Sequence, residues 1–252
     1  MDKHAGQHNV KRDYRALHEA KDLYYFQVSL KETDLVIGVD KASYSDMLPA
    51  WCGQQVRKLR GDLELYIGMH PDFRSSFAPL VLLPGAPLLA ISMAQAAWQT
   101  GVGPMAAVAG AFAQAVGEQL RQRVREVIVE NGGDIYMDSS IDRLVLVFAG
   151  RSKFSNRLAI KVAAGECPLG ICTSSGTVGP SISLGKADAV VIKATNAALA
   201  DAAATGAANL IQTEKDLMAA IDYVKTVKGI SGILAIKDDH MAAWGNMELV
   251  PV

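Results

Sequence analysis

Two alanine-rich stretches, residues 86–115 and 194–208, set the tightest limit on how this chain folds. Aromatics make up only 6% of the residues and there are 22 glycines, so the core must be built from Ala, Val, Leu and Ile. Such a chain either packs its backbones closely or leaves backbone exposed to a ligand, and composition leaves both readings open. The segment 104–122 reads as a helix starting at Pro104, and its early part is almost all Ala, Val and Gly. A helix of that kind is buried on nearly every side.

The 252 residues carry 25 Lys+Arg against 26 Asp+Glu, a net charge of -1. That balance gives no basic footprint and argues against nucleic acid as the main partner. Cys52, Cys167 and Cys172 form no regular framework, which fits a reducing cytosol. The polar start lacks the apolar stretch of a secretory signal, so a cytoplasmic location is expected. The most apolar stretch, 78–98, is broken by Pro79, Pro84, Gly85 and Pro87. It reads as a loop feeding a buried helix and not as a membrane span.

Strands are expected at 23–30, 34–40, 124–130, 143–150, 157–163 and 188–194, and helices at 45–69, 87–99, 196–212 and 214–227. Residues 130–138 read as a turn, and 232–238 with 247–252 as a final pair of strands closing one sheet. Residues 1–10 read as disordered and 11–252 as a single domain. Without a βαβ rhythm, the class is α+β, with mixed or antiparallel sheets and packed helices.

Three constellations carry chemistry. In the first, Asn131, Gly132, Gly133 and Asp134 follow a strand ending at Glu130. Two glycines let backbone N–H groups approach an anion or a flat ring, but Asn-Gly is equally a hairpin signal. In the second, Thr173, Ser174, Ser175, Gly176 and Thr177 crowd hydroxyls and backbone donors, with Lys186 downstream. They suit a phosphate or pyrophosphate, or form a plain turn-rich loop. Cys172 beside them is a nucleophile or sulfur carrier, or a buried small hydrophobe. In the third, Asp201 and Thr205 share one helix face as i and i+4 oxygen donors. Mg2+ takes one or two protein oxygens plus substrate phosphates. Alanine neighbours offer a buried carboxylate nothing, so that face sees solvent, a cation, or the helix dipole.

The order E-N-G-G-D-I, C-T-S-S-G-T-x-G, G-K-A-D-A-V and A-D-A-A-A-T, together with V-G-P-M-A-A-V-A-G-A at 102–111, resembles the UPF0280 (DUF375) family of the ApbE-like superfamily. The resemblance implies an ApbE-like α+β fold of two related half-units in one body. Its better-understood relatives are Mg2+-dependent FAD:protein FMN transferases. By that resemblance, Asn131, Gly132, Gly133 and Asp134 and the turn 173–177 line a flavin nucleotide site. Asp201 and Thr205, with the Ala200 carbonyl, hold the metal. The transferases' H-x-x-D-P-x-T-G segment is missing, and Pro180 stands where the nearer family is expected to carry His.

The expected function is therefore Mg2+-assisted binding of FAD or another dinucleotide pyrophosphate, with FMN or nucleotidyl transfer to a protein acceptor. Asp134, Lys186 and Cys172 are the candidate catalytic groups. The alternatives are a sulfur-assimilation accessory with Cys172 as a thiol or persulfide carrier, and a non-catalytic flavin-binding module. A homodimer is expected only because two-fold dimers are the commonest oligomers.

Overall fold

The computed structural model describes residues 20–177 and 184–252. Residues 1–10, expected to be disordered, lie outside those residues, as does Pro180. In chain order the strands and helices are β1 (Leu23–Leu30), β2 (Thr33–Asp40), α1 (Leu48–Met69), α2 (Asp72–Ser75), α3 (Leu88–Thr100), α4 (Val108–Leu120), β3 (Val127–Asn131) and β4 (Asp134–Asp138). Then come β5 (Arg143–Leu146), β6 (Leu158–Val162), β7 (Leu169–Ser174), β8 (Ala189–Ala194), α5 (Ala197–Leu210), α6 (Leu217–Lys225), β9 (Ile230–Lys237), β10 (His240–Gly245) and β11 (Glu248–Pro251).

Eight strands form one sheet in the order β1-β2-β3-β4-β7-β8-β9-β10, and three form a second in the order β11-β6-β5. Every pairing among them is antiparallel. The architecture is α+β, as its alternating patterns require. The large sheet is buried on both faces. Val190 and Ile192 of β8 point into the core under the helices, while Ala189 and Val191 point into the core shared with the small sheet. Period-two alternation thus makes β8 apolar on both sides.

The alanines and glycines resolve towards close packing. A Cβ on Gly110 of α4 would sit 2.2 Å from the Ala197 carbonyl oxygen of α5. One on Gly170 of β7 would sit 2.3 Å from the Ala197 Cα. Helix α5 therefore lies in a slot between α4 and the sheet, with Asn196 capping it through the Leu199 N–H at 2.8 Å. The Gln114 side chain accepts the Ala197 N–H at 2.7 Å, pinning the same end.

Several boundaries differ from expectation. Residues 134–138 are the strand β4, so the turn shrinks to Gly132-Gly133. The strand expected from 124 starts at Val127, because the Asp40 carboxylate takes the N–H groups of Arg125 and Glu126 at 2.9 and 3.1 Å. The final pair is split: β9 pairs with β10, a strand absent from the sequence reading, whereas β11 pairs with β6. Gly245, at φ 77, makes the turn that sends the chain from one sheet to the other.

A buried ion pair ties β8 to Glu166, in the segment between β6 and β7. Lys193 is fully buried on β8, and its Nζ lies 2.6 Å from Glu166 Oε2, which also accepts Asn246 Nδ2 at 2.6 Å. Lys193→Ala is expected to cost about 3 kcal/mol, the low end for an uncompensated partner because Glu166 is partly solvated. Lys193→Met with Glu166→Gln should recover most of that loss. Thermal unfolding of the three proteins is the check.

Candidate functional site

Four elements meet at the polar end of α5. On β3 and β4, Asn131 and Asp134 share the face that carries Val129 and Tyr136 towards the helices. Gly132 (φ 70) and Gly133 (φ 106) form the two-residue hairpin turn between them, a conformation glycine adopts without strain. The Glu130 side chain fixes that turn by accepting the Gly133 N–H at 2.7 Å. The turn is a hairpin, and it stands beside a buried acid.

Asp134 is buried, and its carboxylate accepts the Thr173 N–H at 3.3 Å from β7. Next to Thr173, Cys172 is fully buried, and its thiol donates to the Ala197 carbonyl at 3.3 Å. Asp201 comes in from α5. Its Oδ2 accepts the Gly110 N–H at 2.9 Å, and the Ala109 N–H also binds it. These are orphan donors at the start of α4, where the helix dipole is positive. Asn131 Nδ2 donates to the Ala109 carbonyl at 3.1 Å and anchors the same turn. Among the described residues, Asp201 therefore meets the dipole of a helix other than its own.

Burial pushes the Asp201 carboxyl up to about 7, against the pull of the α4 N–H groups. Burial, followed by repulsion from Asp201, pushes Asp134 well above the usual carboxylate range. Burial and the same two carboxylates push the Cys172 thiol up as well. Among the described residues, neither Asp134 nor Asp201 forms an ion pair with Lys, Arg or His.

These facts sort the expected site residues. Asn131, Gly133, Asp134, Cys172, Thr173 and Asp201 come together. Cys172 is corrected from a candidate nucleophile to a packing residue, since a buried, protonated thiol between two acids has no thiolate to offer. Lys186 is corrected as well. It is exposed, and its N–H donates to the Ile211 carbonyl at the far end of α5. Ten residues of helix separate Ile211 from Asp201, about 15 Å at 1.5 Å per residue.

The hydroxyl turn runs along α5, since Gly170 abuts Ala197 and Gly176 reaches Gly185, which abuts Ala208. Alternation on β7 sends Cys172 and Ser174 towards α5 and Thr173 the other way, so the hydroxyls do not all converge. The Ser175 hydroxyl accepts the Thr177 N–H at 3.1 Å, and the Gly176 N–H donates to the Ala187 carbonyl at 2.9 Å. Thr177 is exposed, and its hydroxyl donates to Asp188 at 3.2 Å. Asp188, given no role in the sequence reading, also accepts the Asp238 N–H at 2.5 Å and so ties the turn to β9. Thr205 is half-buried one turn beyond Asp201. Ala200 lies inside the helix, where its carbonyl accepts the i+4 N–H. The sequence reading placed this helix from Pro104 but gave its N–H groups no role; α4 starts at Val108, and Ala109 and Gly110 supply the donors to Asp201.

The fold is that of the ApbE proteins. Over 89% of this chain and 97% of the other, the structure matches the flavin transferase ApbE from Vibrio cholerae with a TM-score of 0.57 at 11% identity. It matches the apo form of the Pseudomonas stutzeri flavinyl transferase ApbE over 88% and 94%, with a TM-score of 0.56 at 12% identity. The family model described as AbpE bacteria matches residues 15–226. A UPF0280 protein of Methanococcus maripaludis strain C5 is 36% identical over 88% of this chain and 90% of its own. One of Methanocella arvoryzae is 36% identical over 78% and 80%. The chain belongs to the UPF0280 branch of the ApbE-like family. No helix among the described residues is long and apolar enough to cross a membrane.

Proposed function

We propose that the protein binds the pyrophosphate of a flavin dinucleotide with Mg2+ and is built for FMN transfer to a protein acceptor. The observation that carries this reading is the buried pair Asp134 and Asp201, which repel each other and, among the described residues, form no ion pair with a protein cation. A divalent cation suits such a pair, because it replaces two unfavourable charges by one neutralised centre. The described residues hold no cluster of three His, Cys, Asp or Glu able to cage a metal alone. That too fits Mg2+, which keeps water and substrate phosphates as its other ligands.

In this reading Asp134 and Asp201 hold the metal, with the Thr205 hydroxyl as a further oxygen. The bound ion would act as a Lewis acid on the phosphoryl oxygen. The Gly132-Gly133 turn and the 173–177 turn would border the flavin nucleotide. Burial and the neighbouring Asp201 hold the Asp134 carboxyl well above the usual range, so cation affinity should rise with pH. The flavin transferases whose fold the chain shares support the flavin as the ligand. The burial of Cys172 argues against the sulfur-carrier alternative.

Calorimetric titration with FAD tests the proposal. Binding at least tenfold tighter in Mg2+ than in EDTA is expected (about 1.4 kcal/mol). No FAD binding under either condition would sink it. AMP release in the presence of a candidate acceptor separates a transferase from a binding module.

A further inference from the structure

The segment between α2 and α3 is ordered, apolar and uncovered. Its backbone is tied down at three points. The Leu83 N–H donates to the Tyr66 hydroxyl at 3.0 Å, Trp98 Nε1 donates to the Leu80 carbonyl at 3.0 Å, and the Ser76 carbonyl packs against Gly103 so closely that a Cβ there would sit 1.9 Å away. Leu80 thus lies by the last turn of α3 and Pro87 by its first, so residues 80–87 run antiparallel along that helix. Leu82 and Ala86 pack inward on the α1–α3 core. Phe77, Val81, Leu88 and Trp98 point out, exposed by 71%, 79%, 85% and 60%.

We infer that this face is a two-fold interface between two copies of the chain. Together with Leu83, the outward side chains offer about 700 Å² of mostly apolar surface, close to the ~800 Å² each partner gives in a standard interface. From Ser75 to Gly117 the chain has no Lys, Arg, Asp or Glu. An uncharged patch meets its own copy about a two-fold axis without setting like charges against each other. The segment's own lack of charge gives an acidic or basic peptide nothing to pair with there. The fixed backbone keeps the ordering cost of association low.

Sedimentation velocity on the full chain tests this at tens of micromolar. A dimer is expected, with a Kd weakened about tenfold or more by Val81→Asp or Leu88→Glu. Leu144→Glu, at an exposed leucine on β5, should leave the dimer intact. An unchanged melting profile of the monomeric variants shows that they remain folded. Hydrogen exchange on the unaltered protein gives a second reading, with amides around 77–88 slowing as concentration rises. A monomer throughout, a dimer indifferent to both charges, or a monomer that partitions onto neutral phosphatidylcholine vesicles would overturn the inference.

Discussion

Asp201→Asn should leave the chain folded and remove the Mg2+ enhancement of FAD binding. Asparagine keeps an oxygen for the Gly110 N–H and so preserves the cap on α4. It removes one of the two buried, mutually repelling carboxylates, and with it the reason for a divalent cation to bind. The expected loss is the whole Mg2+ enhancement, about tenfold or more in affinity for FAD, or about 1.4 kcal/mol or more. Asp201→Ala should do the same to binding and also lose the cap, costing about 1–2 kcal/mol of stability. Equal Mg2+ dependence in wild type and Asp201→Asn would mean that the metal sits elsewhere.

The same carboxyl gives the metal-free protein an unusual pH profile. Its folded-state value is about 7, while an unfolded aspartate titrates near 3.9. Between those values the folded chain holds a proton that the unfolded chain has released. Stability therefore falls as pH rises through that window, and flattens above about 7. Asp134, also raised and coupled to Asp201 with Cys172 between them, extends the trend upwards. The combined loss between pH 5 and 8 should be on the order of a few kcal/mol. Most soluble domains gain stability over the acid part of that range as their paired carboxylates ionise, and here Asp22, Asp40 and Glu126 do so below it. Denaturant midpoints in EDTA at pH 5, 6, 7 and 8 should show the decline, millimolar Mg2+ should reduce it at pH 8, and Asp201→Asn should flatten it.

The sequence made the parts of this site visible but not their partners. E-N-G-G-D marked the hairpin because Asn-Gly-Gly has few other uses, and A-D-A-A-A-T marked an acid in an alanine helix. What met that acid was hidden, since Ala109 and Gly110 contribute only backbone N–H groups and no residue type announces them. Cys172 and Lys186 looked eligible from chain proximity alone. Burial removed the first, and the length of α5 removed the second. The misplaced ends have a similar origin. MELVPV and GILAIKD are both good strands, but which sheet each joins depends on Gly245 and on the small sheet formed by 143–162, both remote from local pattern.

Gly110→Val should be strongly damaging, because it couples the packing of the alanine helices to the site. A Cβ at this position stands 2.2 Å from the Ala197 carbonyl oxygen and 2.8 Å from the Asp201 Cβ. The first is backbone and cannot rotate away, so α4 and α5 must separate. Separation strains the Asp201–Gly110 hydrogen bond and the Gln114–Ala197 link together, since both bridge the same pair of helices. Overpacking costs about 1–3 kcal/mol by itself. With the displaced cap, a loss of about 4 kcal/mol is expected, or a fall of roughly 8–16 °C in melting temperature for a domain of this size. Gly110→Ala should show a smaller version of the same loss. If close helix approach is what positions Asp201, FAD affinity in Mg2+ should fall with stability across Gly110→Ala and Gly110→Val. The control is Gly61→Ala on α1, where no atom lies within 4 Å of the added carbon. There alanine should stabilise the helix by roughly 0.5–1 kcal/mol and leave FAD binding unchanged. A Gly110→Val protein with wild-type melting would show that α4 and α5 do not hold each other as closely as the structure places them.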